Sequence, residues 1–294
     1  MKTQNLPVRS GIYYMGSYKK NKLYNLYIQH IRANFKIKKN GIAFLSNKNI
    51  YINKNIDTSE GRLFDLYLTN YDLENFIENY DIFEIYYIDG YMYCSNNKLY
   101  NKFVKKFYKL KSNEKNETKK HFYKLLLNSF FGRLCTKKSI IKKEPEIKKN
   151  KIVFKTCKDE IKTNGGYIPV GVFITSIARK IMLDNIKKVY DDFIYCDTDS
   201  IHFLNYKKNY KKFKISKKIG DFKIEVKNGL AKYLKLKTYI IYNNKINKKV
   251  VAGAPAESLK NININNFKNN KKIIVFKNVI KGNKRILKKY SIKI

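Results

Sequence analysis

Apolar and polar residues alternate along the chain with two different periods, and the period indicates which segments are strands and which are helices. Residues 28–32 and 83–87 alternate with a period of two, as expected for strands that bury one face. Between them, residues 72–79 read as a helix. The pattern therefore predicts a small α+β unit over residues 24–93.

The pattern becomes helical between residues 99 and 134. One helix is predicted to start at Leu99, and a second to span residues 117–134. The polar stretch at residues 112–118 between them is predicted to be a loop. The sequence therefore predicts two consecutive helices in this region.

The remaining chain mixes both element types. Residues 140–166 are rich in lysine and are broken by Pro145 and two glycines, which predicts a loop or a hairpin insertion. A helix is predicted over residues 171–189 and a pair of strands over residues 193–203, and residues 220–294 alternate strands with short basic stretches. The fold class is therefore α/β.

The chain is strongly basic, because 63 Lys and Arg against 23 Asp and Glu give a net charge of +40. An A+T-rich genome favours lysine codons but does not explain why lysines so outnumber acids. A charge of this size repels itself unless a polyanion is present, and lysines interleaved with aromatic residues suit a nucleic-acid backbone. Membrane-surface binding is the alternative, but no dominant basic amphipathic helix supports it, and no apolar stretch is long enough to span a bilayer.

The sharpest chemical signal is Asp197-Thr198-Asp199 between two apolar runs, which predicts a hairpin with two carboxylates at its tip. Carboxylates this close raise each other's pKa unless a cation lies between them, and Mg²⁺ prefers oxygen ligands. The alternative is a solvated turn between strands. The nearby Asp191 and Asp192 are predicted to form the turn at a helix end.

The second signal lies in the helix at residues 117–134. Helical spacing brings two cations, an amide and an aromatic ring onto one stripe: Lys120, Lys124, Asn128 and Phe131. These groups suit the phosphates, sugar and base of a nucleotide, and Gly132 permits the close approach of a base pair or a helix stop. The alternative is an ordinary amphipathic helix with Leu125, Leu126 and Ser129 facing inward and lysines facing solvent.

Taken together, the two signals resemble a known family. Lys-x₃-Asn-Ser-x₂-Gly at residues 124–132, followed by Tyr-Cys-Asp-Thr-Asp-Ser at residues 195–200, resembles motifs B and C of family B DNA polymerases. Thr-x₂-Ala-Arg at residues 175–179 and Lys-x-Tyr at residues 237–239 are similar to two further elements. The order Tyr-Ile-Pro-x-Gly-Val-Phe-Ile-Thr at residues 167–175 is similar to the protein-primed branch, which serves small phages and linear plasmids.

The early part of the chain extends this resemblance. Residues 27–32 and 66–74 look like the first insertion that is specific to the protein-primed branch. The resemblance therefore covers nearly the whole chain, with several separate motifs in the right order.

The resemblance implies the C-terminal portion of a right-hand polymerase, with an α+β palm, helical fingers, two insertions, a small thumb and no exonuclease domain. It also implies the following division of the chain: residues 1–96 as post-motif A segment and first insertion, 97–134 as fingers, 135–168 as second insertion, 169–252 as palm and 253–294 as thumb.

The resemblance implies roles for individual residues in metal and nucleotide binding. Two Mg²⁺ or Mn²⁺ ions are expected, with Asp199 as the main ligand and Asp197 as a weaker or supporting one. The incoming dNTP is expected to be bound by a second group of residues: Lys124, assisted by Lys120 and Lys111, with Asn128 and Phe131 shaping the pocket. Because Phe131 stands where the family usually has tyrosine, altered nucleotide handling is expected rather than inactivity.

Four more residues are implied to contact DNA. Thr175 and Arg179 are expected to contact the template–primer near its terminus, and Lys237 and Tyr239 to hold the primer end.

One part of the family's metal site has no counterpart in the sequence. The motif A aspartate, in an Asp-x₂-Ser-Leu-Tyr-Pro context, is not found, and residues 1–18 look like the stretch just downstream of it. Synthesis by the chain alone is therefore expected to be very weak or nil.

Three interpretations follow. The favoured one is the C-terminal subunit of a split polymerase, completed by an N-terminal chain that carries the exonuclease and motif A, with a terminal protein as a candidate primer. The second is a truncated or degenerate polymerase that binds DNA without catalysis, and the third is an unrelated basic nucleic-acid-binding protein. An intracellular location is expected, either the bacterial host cytoplasm for a phage or the mitochondrion for a linear plasmid.

Overall fold

A computed structural model of the protein describes residues 4–46, 55–137, 139–148, 151–162, 164–216, 218–243, 247–281 and 284–294. The chain divides into two units, residues 1–188 and 189–294. This boundary falls inside the predicted palm segment, residues 169–252. The palm segment therefore contributes its long helix to the first unit and its Asp-Thr-Asp strands to the second.

The first unit is built on an antiparallel sheet with the strand order β1–β4–β2–β3. Its strands are β1 (Leu6–Met15), β2 (Leu26–Ile37), β3 (Phe64–Thr69) and β4 (Tyr80–Asn96). The predicted strands at residues 28–32 and 83–87 lie within β2 and β4, so the α+β unit is confirmed. The alternation did not predict β1, because Arg9, Ser10 and Gly11 interrupt its apolar run.

Helix α1 (Asn70–Asn79) covers one face of this sheet. It begins two residues before the predicted start because the Thr69 hydroxyl accepts the backbone N–H of Asp72 and caps the helix. Phe76 of α1 packs edge-on against Phe35 of β2, and both rings are fully buried. This contact lies at the centre of the hydrophobic core of the first unit.

Two helices, α2 (Asn101–Asn113) and α3 (Glu117–Leu134), form the predicted helical region. The loop between them is shorter than predicted, because the Asn116 side chain caps α3 by accepting the Lys119 N–H at 3.1 Å. Phe103 of α2 packs on Phe130 of α3 with ring centroids 4.5 Å apart. Among the described residues of the two helices, only Leu134 is buried, so most of the helix pair faces solvent.

The lysine-rich segment predicted to be a loop or a hairpin insertion forms a hairpin. Strands β5 (Ser139–Lys148) and β6 (Lys151–Lys162) pair antiparallel. The following helix, α4 (Ile168–Lys187), begins three residues before the predicted position. Pro169 explains the earlier start, because proline in the first helical turn sacrifices no hydrogen bond and already has a helical φ.

Two glycines near the C-terminal end of α3 give a testable contrast in packing. A Cβ added at Gly166 would lie 2.3 Å from the carbonyl oxygens of Arg133 and Leu134, whereas one added at Gly132 would meet no described atom beyond its own turn of helix within 4 Å. We expect Gly166→Ala to lower the free energy of unfolding by about 1–3 kcal/mol, because backbone must move. Gly132→Ala serves as the control and should raise the free energy of unfolding by about 0.5–1 kcal/mol, because alanine is favoured over glycine within a helix. Thermal unfolding measures both, and equal stability of the two variants would contradict the packing at Gly166.

The second unit contains three small β structures. The hairpin of β7 (Phe193–Asp197) and β8 (Ser200–Phe203) is followed by a one-turn helix, α5 (Tyr206–Asn209). A three-stranded sheet comprises β9 (Leu230–Lys235), β10 (Thr238–Tyr242) and β11 (Asn247–Val250), with β10 at its centre. The last hairpin consists of β12 (Lys272–Lys281) and β13 (Lys284–Lys293).

The core of the second unit joins the three-stranded sheet to the last hairpin. Ile240 of β10 and Ile273 of β12 belong to one buried cluster, together with Phe267 and Ile294. No helix within the described ranges combines the length and the apolar character that crossing a bilayer requires.

Candidate functional site

The Asp-Thr-Asp segment forms the tip of the β7–β8 hairpin, as predicted. Asp197 pairs with Ser200 across the two strands, and the Asp199 N–H donates to the Asp197 carbonyl at 2.6 Å. Thr198 has a φ of +53°, a left-handed conformation that is uncommon for a β-branched residue. Two-residue hairpin turns require a positive φ, so the turn itself accounts for this conformation of Thr198.

The Asp197 carboxylate is neutralised by a lysine from the three-stranded sheet. Lys237 Nζ donates to both carboxylate oxygens of Asp197, at 2.8 and 3.1 Å. This hydrogen bonding lowers the pKa of Asp197 below its usual range, and the same contact raises the pKa of Lys237. Asp197 is therefore ionised and already has a cationic partner.

Lys237 is held in place by its backbone. It lies between β9 and β10 in a left-handed conformation, with a φ of +52°. Its backbone N–H donates to the Tyr195 hydroxyl at 3.0 Å. Strand β7 and the turn of the neighbouring sheet are thus joined at both the backbone and the side chain of Lys237.

A cluster of rings supports this arrangement, formed by Tyr195, His202, Tyr233 and Tyr239, with centroid separations between 5.2 and 5.8 Å. The Tyr233 hydroxyl and His202 Nδ1 are hydrogen-bonded at 2.7 Å. Burial raises the pKa of Tyr233 to about 12 and lowers the pKa of His202. Tyr239 itself is only 4% exposed. Its ring therefore packs inside this cluster rather than forming an open surface.

Asp199 differs from Asp197 in its exposure and in the contacts of its carboxylate. It is exposed, and within the described ranges its carboxylate makes no hydrogen bond or ion pair. Two carboxylates of different character thus lie two residues apart at one turn. By contrast, Asp192 accepts the side-chain amides of Asn205 and Asn209 at 2.6 and 2.7 Å. This confirms that residues 190–192 form a structural turn.

Divalent cations with oxygen ligands suit the exposed Asp199 carboxylate. In the part of the chain that the structure describes, however, no group of three or more His, Cys, Asp or Glu side chains lies close enough to hold a metal. Asp197 and Asp199 are thus two neighbouring oxygen donors, without a third acidic, histidine or cysteine side chain beside them in the described chain.

The contact between Lys237 and Asp197 predicts a measurable change in acidity. In Lys237→Gln, we expect the pKa of Asp197 to rise toward its ordinary range, because the main cause of its lowering is removed. A carboxyl group whose pKa is lowered in the folded state stabilises the fold at pH values above its ordinary pKa. This stabilisation is lost as the pH falls through the lowered pKa. The contribution of this ion pair to the free energy of unfolding is small, because the Lys237 side chain is 60% exposed to solvent.

Carboxyl ¹³C NMR titration measures this pKa directly. The control is Lys235→Gln, which removes an exposed lysine from the neighbouring strand and should leave the Asp197 titration unchanged. An unchanged titration in Lys237→Gln would contradict the contact.

The stripe predicted on α3 faces solvent over most of its length. Lys124 and Asn128 are exposed, and Phe131 is half-buried. Lys120 already pairs with Glu117 at 2.8 Å, and Lys111 on α2 lies 5.3 Å from the centroid of the Tyr108 ring. Lys124 is therefore the cation on this stripe that is best placed to receive a ligand.

The alternative prediction for α3 is wrong for two of the three residues that it places inward. Leu125 is 49% exposed and Ser129 is also exposed, whereas Leu126 is half-buried. Phe130 and Tyr123 contact α2 through Phe103 and Phe107. The inward side of α3 thus combines aromatic rings with leucines.

The two residues predicted on α4 have different surroundings. Thr175 is exposed, and its hydroxyl donates to the Val172 carbonyl at 2.8 Å. The Arg179 guanidinium donates to the buried carboxylate of Asp72 in α1. The sequence did not single out Asp72 as a partner, since only the fold brings α1 and α4 together.

The predicted residues are thus distributed over both units. Asp197, Asp199, Lys237 and Tyr239 are brought together in the second unit, whereas the residues of α2, α3 and α4 belong to the first. The sequence assigned no role to Tyr195, His202 or Tyr233. The only available signal was the spacing that pairs Tyr195 with His202 across the predicted hairpin.

Comparisons with known proteins identify the family. Residues 1–218 match the family described as DNA polymerase type B, organellar and viral. The chain is 34% identical to the DNA polymerase of Bacillus phage B103 over 265 residues, which is 88% of this chain and 46% of that protein. It is 34% identical to the DNA polymerase of Bacillus phage phi29 over 263 residues, and 30% identical to that of Streptococcus phage Cp-1 over 243 residues.

A solved structure agrees with these matches. Phi29 DNA polymerase in complex with primer–template DNA and incoming nucleotide substrates superimposes with a TM-score of 0.83 at 29% identity, over 100% of this chain and 55% of that one. The chain thus spans about half the length of the relatives it matches. Because the family match covers residues 1–218 of 294, the chain belongs to the type B DNA polymerases of organelles and viruses.

Proposed function

We propose that the chain provides the nucleotide-binding helices and the motif C carboxylates of a DNA-directed DNA polymerase. The reaction is template-directed transfer of a nucleotidyl group from a dNTP to a primer hydroxyl. The observation that carries the proposal is the Asp-Thr-Asp turn, where Asp199 is exposed and without a partner in the described chain, while Lys237 neutralises Asp197. Family membership supports the same reaction.

The donor atoms at the turn suit Mg²⁺ or Mn²⁺, because both ions accept carboxylate oxygens. Asp199 would be the main ligand, and Asp197 a supporting one because Lys237 already occupies both of its oxygens. When bound, two such ions activate the primer hydroxyl and stabilise the leaving pyrophosphate. Lys237 keeps Asp197 ionised and oriented beside Asp199.

Lys124 would bind the triphosphate of the incoming nucleotide, because it is the exposed cation on the stripe that forms no ion pair with an acidic residue of the described ranges. Lys120 and Lys111 would assist it, and Asn128 with the Phe131 ring would shape the sugar and base pocket. The open surface at Gly132, where an added Cβ meets no described atom outside the local helix backbone within 4 Å, supports the close approach of a base pair.

The proposed DNA contacts come from α4 and from the turn between β9 and β10. Thr175 and Arg179 on α4 would contact the template–primer near its terminus. The Lys237 ammonium, which is mostly exposed, would reach the primer end directly. Tyr239 would act indirectly, because its buried ring supports the turn that carries Lys237.

We retain the family's subdivision into first insertion (1–96), fingers (97–134), second insertion (135–168), palm (169–252) and thumb (253–294). In this division, α2 and α3 are the fingers, and the β12–β13 hairpin is the core of the thumb.

The motif A carboxylate that completes the metal site would come from polypeptide outside these 294 residues. That N-terminal polypeptide would also carry the exonuclease, either as a separate chain of a split polymerase or as an extension of this one. The alternative is a truncated or degenerate polymerase that binds DNA and nucleotide without catalysis. The relatives are polymerases of Bacillus and Streptococcus phages, which favours replication of a phage genome in a bacterial cytoplasm, with a terminal protein as the candidate primer.

Primer extension tests the proposal. We expect no measurable synthesis by the chain alone, and Mg²⁺-dependent synthesis once the polypeptide encoded immediately upstream is added, either in trans or as an extension of the same chain. Binding of primer–template DNA without synthesis in either combination would favour the degenerate alternative. Absence of DNA binding altogether would contradict both.

A further inference from the structure

A buried carboxylate lies beneath the arginine of α4 that we assign to DNA. Asp72, in the first turn of α1, is 6% exposed, and its Oδ1 accepts a hydrogen bond from an Arg179 guanidinium nitrogen. Its Oδ2 accepts the Thr69 hydroxyl at 3.2 Å. Because both oxygens are engaged within the chain, Asp72 holds one edge of the guanidinium in a defined orientation.

The contact with Asp72 leaves part of the Arg179 guanidinium exposed. The Arg179 side chain is 39% exposed, and its guanidinium carbon lies 5.9 Å from the centroid of the Phe44 ring. A guanidinium carries five N–H donors in a planar fork, so donors that Asp72 does not use remain for a second anion. A backbone phosphate of DNA has the charge and the geometry to accept them.

The helix pair around this contact has its own hydrogen bond. The hydroxyls of Thr69 and Ser176 are hydrogen-bonded to each other, and both residues are 1% exposed. The α1–α4 contact therefore contains a neutral hydrogen bond beside the ion pair, and the two meet at Thr69, whose hydroxyl also donates to Asp72. Ser176 belongs only to the neutral bond among the hydrogen bonds of the described residues, so its substitution removes that bond and keeps both members of the ion pair.

We propose that Asp72 is a positioning residue that orients Arg179 toward a backbone phosphate of the primer–template, so that α1 and α4 act as one DNA-binding surface. This inference rests on the proposed function, which assigns Arg179 to DNA. It makes an unusual prediction about charge. Removing an acidic side chain from a DNA-binding surface ordinarily strengthens binding by adding net positive charge, whereas removing Asp72 weakens it.

The salt dependence of DNA binding tests this inference. Fluorescence anisotropy of a labelled primer–template duplex, titrated with the full chain at several KCl concentrations, gives the affinity and the slope of log affinity against log salt. In Asp72→Asn, we expect the slope to fall by about 0.9, which corresponds to one lost phosphate contact, and the affinity to fall by roughly 3- to 10-fold. Arg179→Ala should lose the same slope, and the double variant should lose no more.

The matched control is Ser176→Ala, which removes the neutral hydrogen bond of the same helix pair and leaves the ion pair intact. We expect it to keep the full salt slope. An equal loss of slope in Ser176→Ala would reduce Asp72 to a packing residue and overturn the inference, as would unchanged or tighter binding by Asp72→Asn.

Arg179→Lys provides a second variant should Asp72→Asn fail to fold. It keeps the charge and the Asp72 carboxylate, but a compact ammonium lacks the planar fork that engages two anions at once. We expect the same loss of slope, and a full slope would overturn the inference. If the salt slope fell in Arg179→Ala but not in Asp72→Asn, the positioning role of Asp72 would be overturned, while the DNA contact of Arg179 would stand. Absence of DNA binding by the unsubstituted chain would overturn the proposed function as well.

Discussion

Asp199→Asn should abolish nucleotidyl transfer by the completed polymerase while leaving DNA binding nearly intact. The substitution keeps the size of the side chain and removes its charge, and Asp199 makes no side-chain contact in the described chain that folding would lose. We expect the single-turnover rate to fall by about 10³-fold or more, equal to about 4 kcal/mol of transition-state stabilisation. Rapid-quench primer extension measures the rate, and anisotropy measures DNA affinity.

The control for this variant is Asp191→Asn, which removes an exposed carboxylate from the preceding structural turn. It should retain the unsubstituted rate. A rate within threefold of normal in Asp199→Asn, or a comparable loss in Asp191→Asn, would show that the assignment of Asp199 as the main ligand is wrong.

Lys124→Ala should chiefly weaken the binding of the incoming nucleotide. Its exposed ammonium has no acidic partner in the described part of the chain, so its assigned partner is the triphosphate. A charge-assisted hydrogen bond contributes about 2 kcal/mol, so we expect the apparent dissociation constant for dNTP to rise about 30-fold. The dependence of the single-turnover rate on dNTP concentration measures it.

The control on the same helix is Lys119→Ala, which removes an exposed lysine from a different face of α3. It should leave the nucleotide dependence unchanged. A loss in Lys124→Ala that is confined to DNA affinity would contradict the assigned role.

The sequence predicted the elements of the site better than its internal contacts. Local signals predicted α3 and the Asp-Thr-Asp hairpin, since helical spacing and alternation depend on neighbouring residues. The contact of Lys237 with Asp197 joins residues from a hairpin and from a separate sheet. The motif resemblance named both residues, but no spacing in the chain predicts that they touch.

The contact of Asp72 with Arg179 shows the same limit. It depends on α1 packing against α4, and no local pattern encodes which helices pack together. The interior of α3 could not be predicted either, because leucines and aromatic residues both fit the same period. In the structure, two aromatic residues of α3 pack on the aromatic rings of α2, and leucines share the same side of the helix.

The most direct test of the central claim is whether the template dictates the nucleotide added. The completed polymerase is given four primer–templates that differ only in the first unpaired template base, with each dNTP supplied singly in the presence of Mg²⁺. We predict that the complementary nucleotide is added in each case and that Asp199→Asn adds none. Addition that ignores the template base, or synthesis that survives Asp199→Asn, would contradict the assignment of this chain to template-directed nucleotidyl transfer.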